Sequence, residues 1–229
     1  PPTGGPVGTC APPVGGPVRM WTRTTATRSD MSSTAGPRST QLDERGFPRF
    51  WDEERETLAP AARERIILER MQHQLRYVYE ELPFYRRLYD EHGFHPDQVR
   101  SIEDFTTKVP VITKKMLVAA QREHPPFGSY SKPLPPGGIA RIHGSSGTSG
   151  VPTMYAVSRS DWERAGEVHA MAQWCAGVRP DDIVQVGFPF GLFFGGWGVV
   201  QGAERIGATL FPLGVTDSEK HLELISRLG

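Results

Sequence analysis

The sequence predicts an α/β chain in which a helical lead-in is followed by alternating strands and helices. Three observations carry that reading. Apolar residues recur at helical spacing over 67–82. From residue 139 onward, short apolar runs alternate with helical patterns. A run of small residues sits between the first two of those strands. The 229 residues hold 26 Lys+Arg against 26 Asp+Glu, so charge gives no case for nucleic acid or an anionic membrane as a partner. The two cysteines, Cys10 and Cys175, cannot make a disulfide framework, and a reducing, cytoplasmic compartment is the expectation.

Residues 1–45 are read as a disordered tail. The first forty hold seven prolines and six glycines and almost no large aliphatic side chains. That is too little apolar surface to offset the entropy of ordering. The acid-poor, Arg/Ser/Thr-rich run from Arg19 to Thr40 has the composition of a transit peptide. An unstructured or upstream stretch, with Met31 as the true start, explains the same residues and is preferred.

Residues 46–135 are expected to be a helical part. Ile67, Met71, Leu75, Val78 and Leu82 form one stripe of an amphipathic helix that Pro83 ends. A short helix over 84–92 follows, stopped by Gly93. Ser101 and Asp104 resemble a capping box, and Thr113 caps a further helix through Gln121.

Residues 136–229 are expected to be an α/β part with a partly parallel sheet. Strands are predicted at 139–143, 153–158, 183–187 and 208–213. Helices are predicted after a Ser160/Glu163 capping box to about Ala176, over 195–206, and over 217–228. The stretch 183–203 carries no charge, but six glycines and Pro189 argue for a buried strand, turn and helix rather than a membrane span.

The small-residue run is Gly144-Ser145-Ser146-Gly147-Thr148-Ser149-Gly150. Glycines let backbone amides approach a ligand, and consecutive N–H groups make an anion-binding concavity. The four hydroxyls add donors. The lysine of a Walker loop is missing, and glycines at 144, 147 and 150 do not fit the dinucleotide fingerprint. Composition alone leaves phosphate binding and a plain hairpin loop both open. The histidines lack metal-ligand spacing, so no metal site is assigned. His143, beside the run, reads as a hydrogen-bonded structural residue, and Cys175 as a buried apolar one.

The segment Arg141-Ile142-His143-Gly144 through Thr153 resembles the phosphate-binding core motif of adenylate-forming enzymes, in particular the phenylacetate–CoA ligase branch. Leu82-Pro83-Phe84-Tyr85-Arg86-Arg87-Leu88 is similar to that branch's early helix junction. Phe188 through Gly196, with Gly202–Arg205 and Gly207–Thr209, is similar to its acid-pocket segment. The resemblance covers about 50–229. It implies the N-terminal part of the AMP-binding fold and an ATP-dependent acid–CoA ligase of aromatic catabolism, using ATP, Mg²⁺ and coenzyme A, with a homodimer left open.

On that resemblance, Ser145, Ser146, Gly147, Thr148, Ser149 and Gly150 would hold phosphates. Phe188 and Phe193 would wall the acyl pocket, and Gly191, Gly195 and Gly196 would leave room in it. The adenine and ribose motifs and the catalytic lysine are expected beyond Gly229, so no catalytic side chain is assigned and the chain alone is expected to be inactive. The branch's loop lysine is replaced by Val151, the wider superfamily's by Thr153, and a frequent Tyr by Phe188. A non-catalytic anion-binding α/β fragment, or transfer of AMP to another acceptor, are the alternatives.

Overall fold

The computed structural model describes residues 36–135, 137–145 and 152–228. The tail residues 1–35 lie outside the described residues. Residues 36–45, which composition places in the tail, do not behave as one. Arg38 N–H donates to the Trp51 carbonyl (2.7 Å), and Arg49 N–H to that of Gln41 (2.7 Å). Asp43 pairs with Arg179 (2.7 Å), and Arg45 reaches Asp181 and Asp182. Polar anchors of long sequence separation hold this segment, and composition does not register them.

Among the described residues the first helix is the one-turn α1 (Glu53–Glu56). Then come α2 (Pro60–Glu81), α3 (Pro83–Glu91), a 3₁₀ turn (Pro96–Gln98), α4 (Ile102–Lys108) and α5 (Lys114–Glu123). Pro83 marks the α2–α3 break as expected: Leu82 is extended, and Pro83 takes the first position of α3, where its missing N–H costs nothing. The predicted stripe buries Leu75, Val78 and Leu82, which pack with Phe84, Leu88, Tyr89, Phe94 and Val99. Its first member, Ile67, is exposed. Ser101 caps α4 by accepting from Asp104 N–H (3.0 Å). The Asp104 carboxylate turns back to Arg100 N–H (2.8 Å). The Lys108 hydrogen bond, with that amide, holds its pKa down at about 2.

The second part contains β1 (Ile139–Gly144), β2 (Met154–Ser158), α6 (Arg159–Cys175), β3 (Ile183–Gln185), α7 (Phe194–Ile206), β4 (Thr209–Phe211) and α8 (Ser218–Leu228). β1 and β2 form an antiparallel hairpin in which Gly144 faces Met154. β3 and β4 pair in parallel. The small-residue run therefore begins at the turn end of the hairpin, at Gly144. Ser158, not Ser160, caps α6: its hydroxyl oxygen accepts from Asp161 N–H (3.1 Å). β2 runs into the helix with no intervening loop, which moves the cap two residues ahead of the expected box. No helix among the described residues is long and apolar enough to cross a membrane.

α6 and α7 pack closely, and Trp51, Ala170, Trp174 and Ile206 form the buried centre beneath them. Cys175, expected to be buried, is exposed at the last residue of α6, because the helix's inward face there belongs to Trp174. A Cβ on Gly202 of α7 would lie 2.9 Å from the Ala170 backbone nitrogen and 2.8 Å from the His169 carbonyl carbon. Backbone cannot rotate away as a side chain can, so this contact requires glycine. We predict that Gly202→Val destabilises the fold by roughly 1–3 kcal/mol through overpacking. Gly36→Ala, where nothing lies within 4 Å, should stay within about 0.5 kcal/mol of the parent. Urea unfolding midpoints check both.

Candidate functional site

β1 carries the site's first residues. Side chains two apart on a strand share a face, so Arg141 and His143 point the same way. His143 is only 2% exposed. Its Nδ1 lies 3.2 Å from the Leu192 carbonyl oxygen. A carbonyl only accepts, so Nδ1 carries the proton, and Nε2 of the neutral ring is left as an acceptor. Nε2 is buried without a partner among the described residues. Around the ring stand Trp162 (centroids 6.0 Å apart), Tyr155 (6.1 Å) and Phe194 (5.1 Å, edge-on). The expected structural histidine is thus hydrogen-bonded on one side only.

The same Leu192 carbonyl also accepts from Gly144 N–H (2.9 Å). A Cβ on Gly144 would meet Met154 Sδ at 2.9 Å and Leu192 Cδ1 at 3.6 Å. The absent side chain lets the 188–194 segment lie against the hairpin. One residue further, Ser145 N–H donates to the Thr153 carbonyl (3.0 Å). Ser145 Oγ accepts from Thr153 N–H (3.0 Å) and from Thr153 Oγ1 (3.1 Å). Both acceptances leave the Ser145 hydroxyl proton without a use among the described residues. Ser146, Gly147, Thr148, Ser149 and Gly150, together with Val151, lie outside the described residues.

Helix α5 braces the exit of the loop. Gln121 Oε1 accepts from Met154 N–H (2.7 Å) and from Tyr130 Oη (3.1 Å), and Gln121 Nε2 donates to the Pro152 carbonyl (3.4 Å). Neither Gln121 nor Tyr130 stood out in the sequence. Their partners at the loop's exit, Pro152 and Met154, lie 24–33 residues away, and no local pattern encodes that pairing.

The residues expected to border an acyl pocket lie along one segment, 188–196. Phe188 is 54% exposed, and a Cβ on Gly195 would sit 3.7 Å from its ring. Gly196 is buried beneath the Phe188 Cβ, the Phe190 ring and the Pro189 carbonyl oxygen. Gly191 has open space around it, and Phe193 is half-buried at the cap position of α7. The aromatic ring that packs against the hairpin is Phe194, edge-on to Trp162 at 5.6 Å. Trp162 was missed because it lies in a helical pattern, where aromatics read as core. Among the described residues no three His, Cys, Asp or Glu side chains gather as metal ligands would.

No protein-family model matches the chain. It is 38% identical over 157 residues to the phenylacetate-coenzyme A ligase of Escherichia coli K12, covering 69% of this chain and 34% of that protein. Its identity to the Thermus thermophilus enzyme of the same name is 37% over 176 residues, covering 77% of this chain and 38% of that one. The chain thus spans little more than a third of these relatives. Among solved structures, 2-hydroxyisobutyryl-CoA ligase in an open conformation, in complex with 2-HIB-AMP and CoA, matches with TM-score 0.71 and 40% identity, over 82% of this chain and 44% of that one. The same enzyme in the thioesterification state gives 0.71 and 41%, over 82% and 40%.

The fold is therefore the α/β fold of a CoA ligase over the matched 82% of the chain. Within that class the chain is related to the phenylacetate–coenzyme A ligases, over 69–77% of its own length, and the resemblance read from its motifs holds.

One titration tests the packing around the site. Burial lowers the His169 pKa below its ordinary 6.5. His169 faces Phe194, with centroids 6.0 Å apart, and its Nε2 lies 2.2 Å from where a Gly198 Cβ would be. A histidine with a depressed folded pKa binds more protons when unfolded. Its contribution to stability is then complete above pH 6.5 and is lost as pH falls from 6.5 toward the folded value. NMR titration should place His169 below 6.5. His169→Gln should flatten the decline in stability on acidification from pH 7 to 5.

Proposed function

We propose that the protein carrying this chain is an ATP-dependent acid–CoA ligase acting on phenylacetate or a similar aryl acid. The carboxylate attacks the α-phosphorus of ATP, giving an acyl-adenylate and pyrophosphate. The thiol of coenzyme A then attacks the acyl carbon and expels AMP, leaving the thioester. The observation that best supports this reading is the Leu192 carbonyl, which accepts from both Gly144 and His143. It holds Gly144, the first residue of a run whose composition suits phosphates, against an aromatic, glycine-rich segment whose composition suits an acid. The names of the E. coli and T. thermophilus relatives state phenylacetate–CoA ligation, and the solved 2-hydroxyisobutyryl-CoA ligase was captured with an acyl-adenylate and CoA.

In this reading Ser145, Ser146, Gly147, Thr148, Ser149 and Gly150 bind the phosphates through amides and hydroxyls. Ser145 fits the role with its unused hydroxyl proton, and magnesium arrives bound to the nucleotide. Phe188, Phe193 and Gly195 border the acid. An exposed ring beside glycines offers a flat apolar wall, which favours an aryl acid over a small aliphatic one. The reaction needs positioning and charge neutralisation more than covalent help from the protein. It is assigned to the cytoplasm, with small molecules as partners.

Acid-dependent exchange of pyrophosphate into ATP, measured on the protein at its full natural length, is the test. Phenylacetate should support exchange. The absence of exchange with any aryl or short aliphatic acid would overturn the proposal. In the same protein, Thr148→Ala should raise the KM for Mg-ATP by about tenfold, the loss of one hydrogen bond to a charged group. Unchanged KM and kcat would remove the loop from phosphate binding.

A further inference from the structure

Arg141 has a different environment from the other shielded arginines. Its guanidinium carbon lies over the Trp162 ring at 4.3 Å and over the Trp197 ring at 4.8 Å. Arg179 and Arg205, whose side chains are 8% and 9% exposed, each meet a carboxylate, Asp43 at 2.7 Å and Glu167 at 3.1 Å. Arg141 has no carboxylate and no hydrogen-bond acceptor among the described residues. Two indoles satisfy the faces of a guanidinium and do nothing for its five N–H groups, which lie in its plane. Clamping also removes much of the rotamer entropy that an arginine otherwise loses on binding.

The surroundings point to an anion as the missing partner. Between Arg141 and Arg159 the sequence contains no Lys or Arg, and from Lys132 to Ser160 it contains no Asp or Glu. The nearest charges along the chain, Arg159 and Asp161, lie at the start of α6, where β2 ends. On the same face of β1, the unpartnered Nε2 of His143 is an acceptor and does not suit an anion, so Arg141 alone offers that face's charged donors. Gly144, where the small-residue loop begins, is three residues on, about 10 Å along a strand.

We propose that Arg141 is an anion-recognition residue of the ligand site, binding phosphoryl oxygens beside the loop and supplying the positive charge that the loop itself lacks. This rests on the ligase reading above. The phosphoryl group belongs either to the nucleotide or to coenzyme A, and the planar N–H fork suits both.

The test uses the full-length protein, with calorimetric titration of inorganic pyrophosphate, Mg-ATP and coenzyme A. Arg141→Met keeps the apolar stem and loses the charge. It should weaken at least one of the three ligands by tenfold or more and lessen the salt dependence of its binding. Loss confined to pyrophosphate and Mg-ATP assigns the nucleotide, and loss confined to coenzyme A assigns the acceptor. If all three bind Arg141→Met within twofold of the parent, Arg141 is a packing residue and the proposal fails. If Arg141→Met does not fold, Arg141→Lys carries the test: it keeps the charge but loses the fork, and affinity equal to the parent overturns the proposal. A parent that binds phosphates in an Arg141-dependent way but shows no acid-dependent exchange would sink the ligase reading alone. A parent that binds none of the three ligands would sink both.

Discussion

The rest of this structure depends on how closely α6 and α7 approach. Gly198 and Gly202 of α7 stand where any side chain would collide with His169, Ala170 and Gln173, and Gly166 of α6 leaves the matching space for Gln201. Without side chains between them the two backbones come near enough for Gln173 Nε2 to reach the Val199 carbonyl (3.0 Å). That approach sets where Trp162 and Phe194 meet, and their meeting makes the surface on which β1 lies. A strand of six residues with one antiparallel neighbour would be marginal alone. Here it is held by an aromatic floor that the helix pair fixes.

The floor is in turn fastened from beneath. Trp51 donates its indole N–H to Glu167 on α6 (2.8 Å), and the same carboxylate receives Arg205 of α7 (3.1 Å). Glu167 therefore ties the chain's early segment to both helices at once. Trp174 stacks edge-on against Trp51 at 5.5 Å, and Arg179 lies over the Trp174 ring at 4.2 Å while pairing with Asp43. A shielded arginine is tolerable because its charge is matched and its donors are used: Nη1 also reaches the Trp174 and Val178 carbonyls (2.7 and 2.9 Å). Losing either partner would strand a charge, so the segment around Asp43 is part of the fold and not an appendage.

What the sequence made legible follows from what is local. The α2 stripe, the Pro83 break, the Thr113 cap and the strand–helix order from 139 onward are all written within a few residues of where they act. The loop was legible as composition, and its family likeness as motif. The rest involves contacts that no window contains. Glu167 is 116 residues from Trp51, and Arg45 is 136 from Asp181. The Leu192 carbonyl is 49 from His143. Phe188 and Phe193 drew attention because they sit in a recognisable segment, whereas Phe194, whose ring abuts the hairpin, differs from Phe193 by one step of the chain. Which of two adjacent aromatics faces inward is decided by where the helix begins, and boundaries are the least legible part of any sequence.

The site that results is unusual in its electrostatics. The hairpin is free of acids and, past Arg141, free of cations up to the start of α6. His169 nearby is biased by burial toward its neutral form. On the function proposed, ligand charge would be met by backbone amides, by hydroxyls such as that of Ser145, and by a single guanidinium. Such groups are fixed dipoles and need little reorganisation when charge develops. A loop lysine would give more attraction at longer range, but on a flexible stem. Replacing it with Val151 or Thr153 while clamping Arg141 between two indoles exchanges a mobile point charge for a rigid, directional one. If Arg141 serves as proposed, that arrangement would favour ligands whose phosphoryl oxygens match its geometry over those that merely carry negative charge.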